Sequence, residues 1–330
     1  MKPKFSIIVP LYNKAPYVRK SLDSIFAQTY KNYQVIVIDD GSTDNSAAIC
    51  ENFINSLTPS LVHSICLLRQ ANSGVAAARN RGVKESKGEY VCFLDADDWW
   101  EPTFLEEIDK LIAEYPDAGI YATNYIYYKP GKTHVALSLP RGYMNYPEAY
   151  LQCGSMPVTS ITTCMPRKVF NEMEGFSAGV KLGEDFLLWA KTALHYPVAF
   201  CEKPLAYYNN DIPASLRATR NLHKPEHHML FHLGPLEAEI ANLSLVHSLT
   251  PSLVTSWKQL LDKLRVSGLL DYWLSDKYHT AAETELQKID WYKQPKKARA
   301  QYEKPIWLIK VQRQFMQVCS WCKRKLLKFR

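Results

Sequence analysis

The sequence predicts an α/β protein: a mainly parallel sheet flanked by helices, then a helical module and a basic amphipathic tail. Three observations carry this expectation. Short apolar runs alternate with helix-patterned stretches through residues 5–94, the signature of βαβ units. Leu222–Glu285 keeps helical spacing with no strand-like run. Lys304–Arg330 holds eight Lys/Arg and no Asp or Glu, with apolar residues at three- and four-residue steps.

Each element follows from its own residues. Ser6–Val9 is a short apolar strand, and Tyr17–Gln28 has helical spacing. Gln34–Asp39 (QVIVID) is a continuous apolar run of the kind a strand buried on both faces needs. Asp44–Leu57 reads as a helix entered through the GSTD turn. Ser64–Leu68 is a strand, Ser73–Ser86 a helix and Tyr90–Leu94 a strand. Right-handed crossovers place ligands at the carboxyl ends of such strands. Pro10-Leu11-Tyr12, Asp39-Asp40 and Asp95–Asp98 all fall at strand ends, so they should meet at one crevice. From Ala118 the strands become tyrosine-rich (GIYATNYIYY). A helix over Glu184–His195 and two short strands, VAFC and LAYY, follow. The expected domains are 1–217, a helical module at 218–303 and the tail at 304–330.

Charge and composition narrow the function classes. The net charge of +7 belongs to the tail; the rest carries 32 basic against 33 acidic residues, so nucleic-acid binding is not expected. FSIIVPLY is too short for a signal segment and runs into Asn13 and Lys14. No run approaches the roughly 20 apolar residues of a spanning helix. The eight cysteines lie mostly in apolar runs and read as reduced, cytosolic thiols. Cys319 and Cys322 form a lone C-x-x-C with no second pair nearby.

FLDADDWW packs three carboxylates into four residues at a strand end. Such crowding suits a hard divalent cation, Mg2+ or Mn2+, held by one or two carboxylates together with a substrate diphosphate. No Gly-rich phosphate loop follows the first strand; VPLYNK stands there instead. Tyr12 offers a ring to a base, and an aspartate at the second strand end can accept from a base or ribose. Arg79, in NSGVAAARN with Asn72, can fork onto phosphate oxygens. Together these describe a nucleotide-diphosphate pocket with a metal. Asp185 opens a helix far in sequence from the metal turn and can serve as a base; Glu184 reads as a first-turn residue favoured by the helix dipole.

VPLYNK, VIVIDDGSTDNS, NSGVAAARNRG, GEYVCFLDADDWW and LGEDFLLWAK, in that order, resemble the family 2 glycosyltransferases across residues 4–217. The resemblance implies a Rossmann-like GT-A fold. It also implies inverting transfer of a sugar from a nucleotide-diphosphate donor, usually UDP-linked, to an acceptor hydroxyl. By the same resemblance Pro10 and Tyr12 contact the donor base and Asp40 reads the uracil. Asn72 and Arg79 flank the diphosphate, Asp95 lies on the ribose side, Asp97 binds the metal and Asp185 is the general base. Many relatives carry a histidine after the last strand. Here the stretch is YYNNDIPASL, so Asn210 or Asp211 stands in as third ligand.

Leu308, Val311, Phe315, Val318, Cys322, Leu326 and Phe329 form one apolar stripe beside Lys310, Arg313, Lys323 and Arg324. With Trp307 and Trp321, this reads as a helix bound to an anionic membrane surface. A lipid-linked or glycan acceptor fits such a position on the inner face of the cell membrane, within surface polysaccharide assembly. Two alternatives remain: a nucleotidyltransferase making nucleotide sugars, or a non-catalytic nucleotide-sugar binding subunit.

Overall fold

A computed structural model describes residues 2–58, 61, 64–213 and 222–313. These residues fall into two compact units, Met1–Trp257 and Lys258–Arg330. The first unit is built on one sheet. Strand β1 (Phe5–Leu11) is buried at all seven positions, because it lies between β2 (Tyr33–Asp39) and β4 (Tyr90–Phe93), parallel to both. Strand β3 (Ile65–Arg69) adds parallel to β2. Helices α1 (Val18–Phe26), α2 (Ser46–Ser56) and α3 (Val75–Glu85) make the crossovers. Gly82 lets α3 approach β1 closely: a Cβ there would lie 2.3 Å from the Ile8 side chain. The expected βαβ order is therefore present, with strand and helix ends shifted by a residue or two.

The second half of the sheet is mixed. The overall order is β3-β2-β1-β4, then β9 (Thr163–Pro166), β6 (Ile120–Tyr128), β10 (Val198–Asn209) and β5 (Trp99–Trp100), with β7 (His134–Val135) on β6 and β8 (Gly142–Met144) on β10. Strand β9 (Thr163–Pro166) runs antiparallel between β4 and β6 (Ile120–Tyr128). The runs VAFC and LAYY are not two strands. They belong to one strand, β10 (Val198–Asn209), parallel to β6, with its register slipping on either side of Pro204. A proline cannot donate to the ladder, and the irregularity absorbs it. The two-residue strand β5 (Trp99–Trp100) pairs antiparallel with β10 directly after the acidic turn. Helix α4 (Phe104–Glu114) then packs an apolar face centred on Phe104, Ile108 and Leu111. Trp100 stacks on Phe104 at 4.0 Å and donates its indole N–H to Ile161 O at 2.7 Å.

After α5 (Tyr146–Cys153) and α6 (Arg167–Glu172), helix α7 (Glu184–His195) starts behind Gly183, whose φ of +81° favours glycine. The chain beyond residue 217 helps to hold both ends of this helix. Leu182 accepts from Met229 N at 3.0 Å, and His195 meets Glu239 of α8 (Gly234–Leu245) at 2.6 Å. The second unit is helical and buries Leu260, Leu261, Leu264, Tyr272 and Leu286 around an Arg265–Glu285 ion pair of 3.0 Å. Of the tail, residues up to Arg313 are described: Ile309 is buried, while Trp307 and Val311 are exposed. Phe315, Val318, Cys319, Trp321, Cys322, Lys323, Arg324, Leu326 and Phe329 lie outside the described residues.

Candidate active site

The loop after β1 and the GSTD turn after β2 clasp each other. Asn13, at a φ of +51°, accepts from Thr43 N through its side-chain oxygen at 2.8 Å. Lys14 N donates to Ser46 Oγ at 2.8 Å, and Ala15 N to Asp44 Oδ2 at 3.1 Å. Pro10 is buried within β1, while Tyr12 is 46% exposed beyond its end. Asp40 is buried and already heavily used. Its carboxylate accepts from Gln70 Nε2 at 2.7 Å, Ser73 N at 2.9 Å and Gly74 N at 2.8 Å. Gly74, at φ +89°, turns that N–H inward. A carboxylate has about four lone-pair sites, so Asp40 retains capacity for about one further donor. Its visible work is to shape the loop that carries the exposed Asn72.

The three aspartates of the acidic turn have three different partners. Asp98 is buried, accepts from Asn209 N at 2.7 Å and joins the turn to the end of β10. Asp97 forms an ion pair with the Lys14 ammonium. Asp95 accepts from Arg79 Nη2 at 2.7 Å. Arg79 is buried, and its other fork nitrogen, Nη1, donates to Glu184 Oε1 at 2.7 Å. Sequence reading expected that fork to face a diphosphate. Here both ends are taken by carboxylates, and Arg79 ties the acidic turn to the start of α7. Glu184 is correspondingly more than a first-turn residue, since it supplies half of this buried bridge.

Asp185 lies beside that bridge, half-buried. Its Oδ1 accepts from Phe186 N at 2.8 Å, and Ser160 Oγ donates weakly to Oδ2 at 3.5 Å. Burial and then the Glu184 charge push its carboxyl up to about 7, against the pull of Arg79. A carboxylate that titrates near neutrality suits a general base. Tyrosines complete this side. Burial, then Asp185, pushes the Tyr150 hydroxyl up to about 12. Tyr208 is raised by burial and then by Asp98, Asp95, Asp97 and Asp185, so its phenol senses both carboxylate groups. Tyr127 packs edge-on to Tyr208 at 5.7 Å, and its hydroxyl meets that of Tyr125 at 3.1 Å. Sequence reading gave no role to Lys14, Ser160, Tyr150 or Tyr208; Lys14 closes VPLYNK and Tyr208 closes LAYY, while Ser160 and Tyr150 lie in no motif.

The donor set fits a divalent cation. Burial first, and then neighbouring carboxylates, hold Asp97 and Asp98 above the usual carboxylate range; Lys14 acts in the opposite direction. Further positive charge would relieve this crowding. Among the described residues no three His, Cys, Asp or Glu side chains form a metal cage. Asp211 lines a cavity of about 160 Å³ with Asp97, Asn209, Lys20, Trp99 and Tyr128. Of the two residues expected to stand in for a histidine, Asp211 shares this cavity with Asp97, while Asn210 N donates to Tyr128 O at 2.8 Å.

Known proteins resemble this chain in sequence and in fold. Among curated sequences, glycosyltransferase GlyA of Streptococcus pneumoniae is 46% identical over 122 residues, 37% of this chain and 17% of that protein. Glycosyltransferase GlyG of the same organism is 36% identical over 129 residues, 39% of this chain and 41% of that protein. The chain thus spans less than half the length of these two relatives. Among solved structures, S. aureus TarS 1-349 in complex with UDP-GlcNAc superimposes with a TM-score of 0.70 at 19% identity. It covers 90% of this chain and 83% of that one, a likeness of fold. The model of glycosyl transferase family 2 matches residues 6–173, about half of the sequence and most of the sheet just described, and the chain belongs to that family.

Proposed function

We propose that the protein is an inverting, metal-dependent glycosyltransferase. It moves a sugar from a nucleotide-diphosphate donor, UDP-linked, to a hydroxyl of a glycan or lipid-linked acceptor in surface polysaccharide assembly. The observation that carries this reading is the Asp95–Arg79–Glu184 bridge. It fastens the acidic turn to the helix that presents Asp185, so one buried arginine sets both halves of the reaction.

In this reading Pro10, Tyr12 and Asp40 form the base end of the donor site, with Asn72 beside the diphosphate and Asp95 on the ribose side. Asp97 would hold the cation, with Asp211 the nearer candidate for a further ligand. A bound Mg2+ or Mn2+ would neutralise charge on the leaving nucleotide. Asp185 takes the proton of the acceptor hydroxyl as that oxygen attacks the anomeric carbon from the face opposite the diphosphate. Its raised pKa makes the carboxylate basic enough to do so near neutral pH. Ser160 orients the carboxylate through its hydrogen bond to Oδ2.

The tail is proposed to hold the protein on the cytoplasmic face of an anionic membrane. Support comes from its eight-to-zero charge count and from Trp307 and Val311, exposed one helical turn apart. Among the described residues no helix is long and apolar enough to cross a membrane. The direct test of activity is metal-dependent release of UDP from a panel of nucleotide sugars, with UDP-GlcNAc first because the TarS neighbour was solved with it. Release with one donor that is lost in Asp185→Asn supports the reading. No release from any donor, with folded protein and Mn2+, overturns it.

A further inference from the structure

We infer that Lys14 is a resident counter-ion of Asp97, which withholds that carboxylate from a divalent cation until a nucleotide diphosphate arrives. The inference rests on the reading of Asp97 as the metal-binding carboxylate, and it extends that reading to the order in which ligands enter.

Four features place Lys14 in this role. Its ammonium sits on Asp97 Oδ2, with the two side chains only 17% and 13% exposed. Its backbone is held on both sides. Asn13 is fixed at a left-handed φ and joined to Thr43, Lys14 N is bound to Ser46 Oγ, and Ala15 N is bound to Asp44. The pairing is therefore built by the clasp between two strand-end loops, and does not depend on a loose surface chain finding a carboxylate. The other carboxylates of the turn have their own donors: Arg79 on Asp95 and Asn209 N on Asp98. Lys14 is thus the cation nearest to the group expected to bind metal.

An ammonium and a divalent cation on the same partly buried carboxylate repel strongly at contact range. A metal ion that reaches Asp97 must displace the Lys14 ammonium from it. A diphosphate supplies oxygens to both cations. Metal and nucleotide should therefore enter together, and metal alone should bind poorly. By linkage, UDP raises Mn2+ affinity by the same factor as Mn2+ raises UDP affinity, and Lys14 sets part of that factor.

The test is Mn2+ binding by electron paramagnetic resonance, with and without UDP, on the full chain and on Lys14→Met and Lys14→Arg. The wild-type protein should bind Mn2+ weakly alone and at least tenfold more tightly with UDP. Lys14→Met should bind Mn2+ alone about tenfold or more tighter than wild type, so that the gain from UDP shrinks. Lys14→Arg, which keeps the charge, should follow wild type. Unchanged or weaker Mn2+ binding by Lys14→Met without UDP overturns the inference. If wild-type protein takes up no Mn2+ even with UDP, the metal reading of Asp97 has failed, and the role of Lys14 falls with it. If Lys14→Met does not fold, Lys14→Gln is measured in its place against the same two outcomes.

Discussion

Replacing Glu184 by glutamine should make the protein less stable and yet let it work at lower pH. Glu184 and Arg79 are 6% and 3% exposed, and their contact is 2.7 Å. Breaking a buried ion pair outright costs about 3–5 kcal/mol. Here Arg79 keeps Asp95, and the glutamine oxygen can still accept from Nη1, so the loss is one charge and not a whole contact. About 2 kcal/mol is a fair expectation, the scale of a charge-assisted hydrogen bond. For a unit of this size that lowers Tm by roughly 4–8 °C. The catalytic effect has the opposite sense. After burial, the Glu184 charge is the main cause that lifts Asp185 to about 7, and Arg79 pulls the other way. Removing the like charge lowers the Asp185 pKa by on the order of one unit, about 1.4 kcal/mol. The base works when deprotonated, so activity rises as pH rises through its pKa. The acid limb of the kcat profile should therefore move from near 7 to about 6. The assay is UDP release against pH between 5 and 9, together with thermal melts of both proteins. A folded Glu184→Gln protein whose acid limb stays in place, or moves to higher pH, would refute the coupling.

Three further outcomes are expected. Asp97→Asn should weaken Mn2+-dependent UDP binding about tenfold or more, on the order of 1.4 kcal/mol, measured by calorimetry; equal affinity would remove Asp97 from the metal site. Asp185→Asn should keep donor affinity and lose transfer roughly a hundredfold or more. The same variant should also melt higher than wild type at pH 8. A carboxyl raised from 3.8 to about 7 on folding costs stability that builds as pH rises through that window and vanishes below it. A melting gain that persists at pH 3 would contradict this origin. The full chain should sediment with anionic vesicles at low salt and be only partly released by high salt. Trp307→Ala and a chain ending at Arg313 should each bind less, while UDP binding stays; full-length protein that ignores such vesicles removes the membrane role. The cut is placed after Arg313 because Ile309 is buried, and Lys310 and Arg313 pair with Asp276 and Asp271.

Much of the fold was legible because its signals are local. QVIVID, buried on both faces, needs no partner to be recognised as a strand, and LGEDFLLWAK announces its own helix start with glycine and two acids. The family motifs likewise sit on contiguous residues, so the positions of Asp97 and Asp185 could be read directly. Merging VAFC and LAYY into one strand was not legible, because Pro204 breaks the local pattern and only pairing with β6 carries the strand through it. The partners of the charged groups were also hidden. Arg79 is separated from Glu184 by 105 residues, and Lys14 from Asp97 by 83. A sequence shows which residues can carry charge. Only the folded chain decides which opposite charges meet in a place where water cannot screen them. That meeting joined Arg79 to Asp95 and Glu184, and set Lys14 on the carboxylate where a metal was expected.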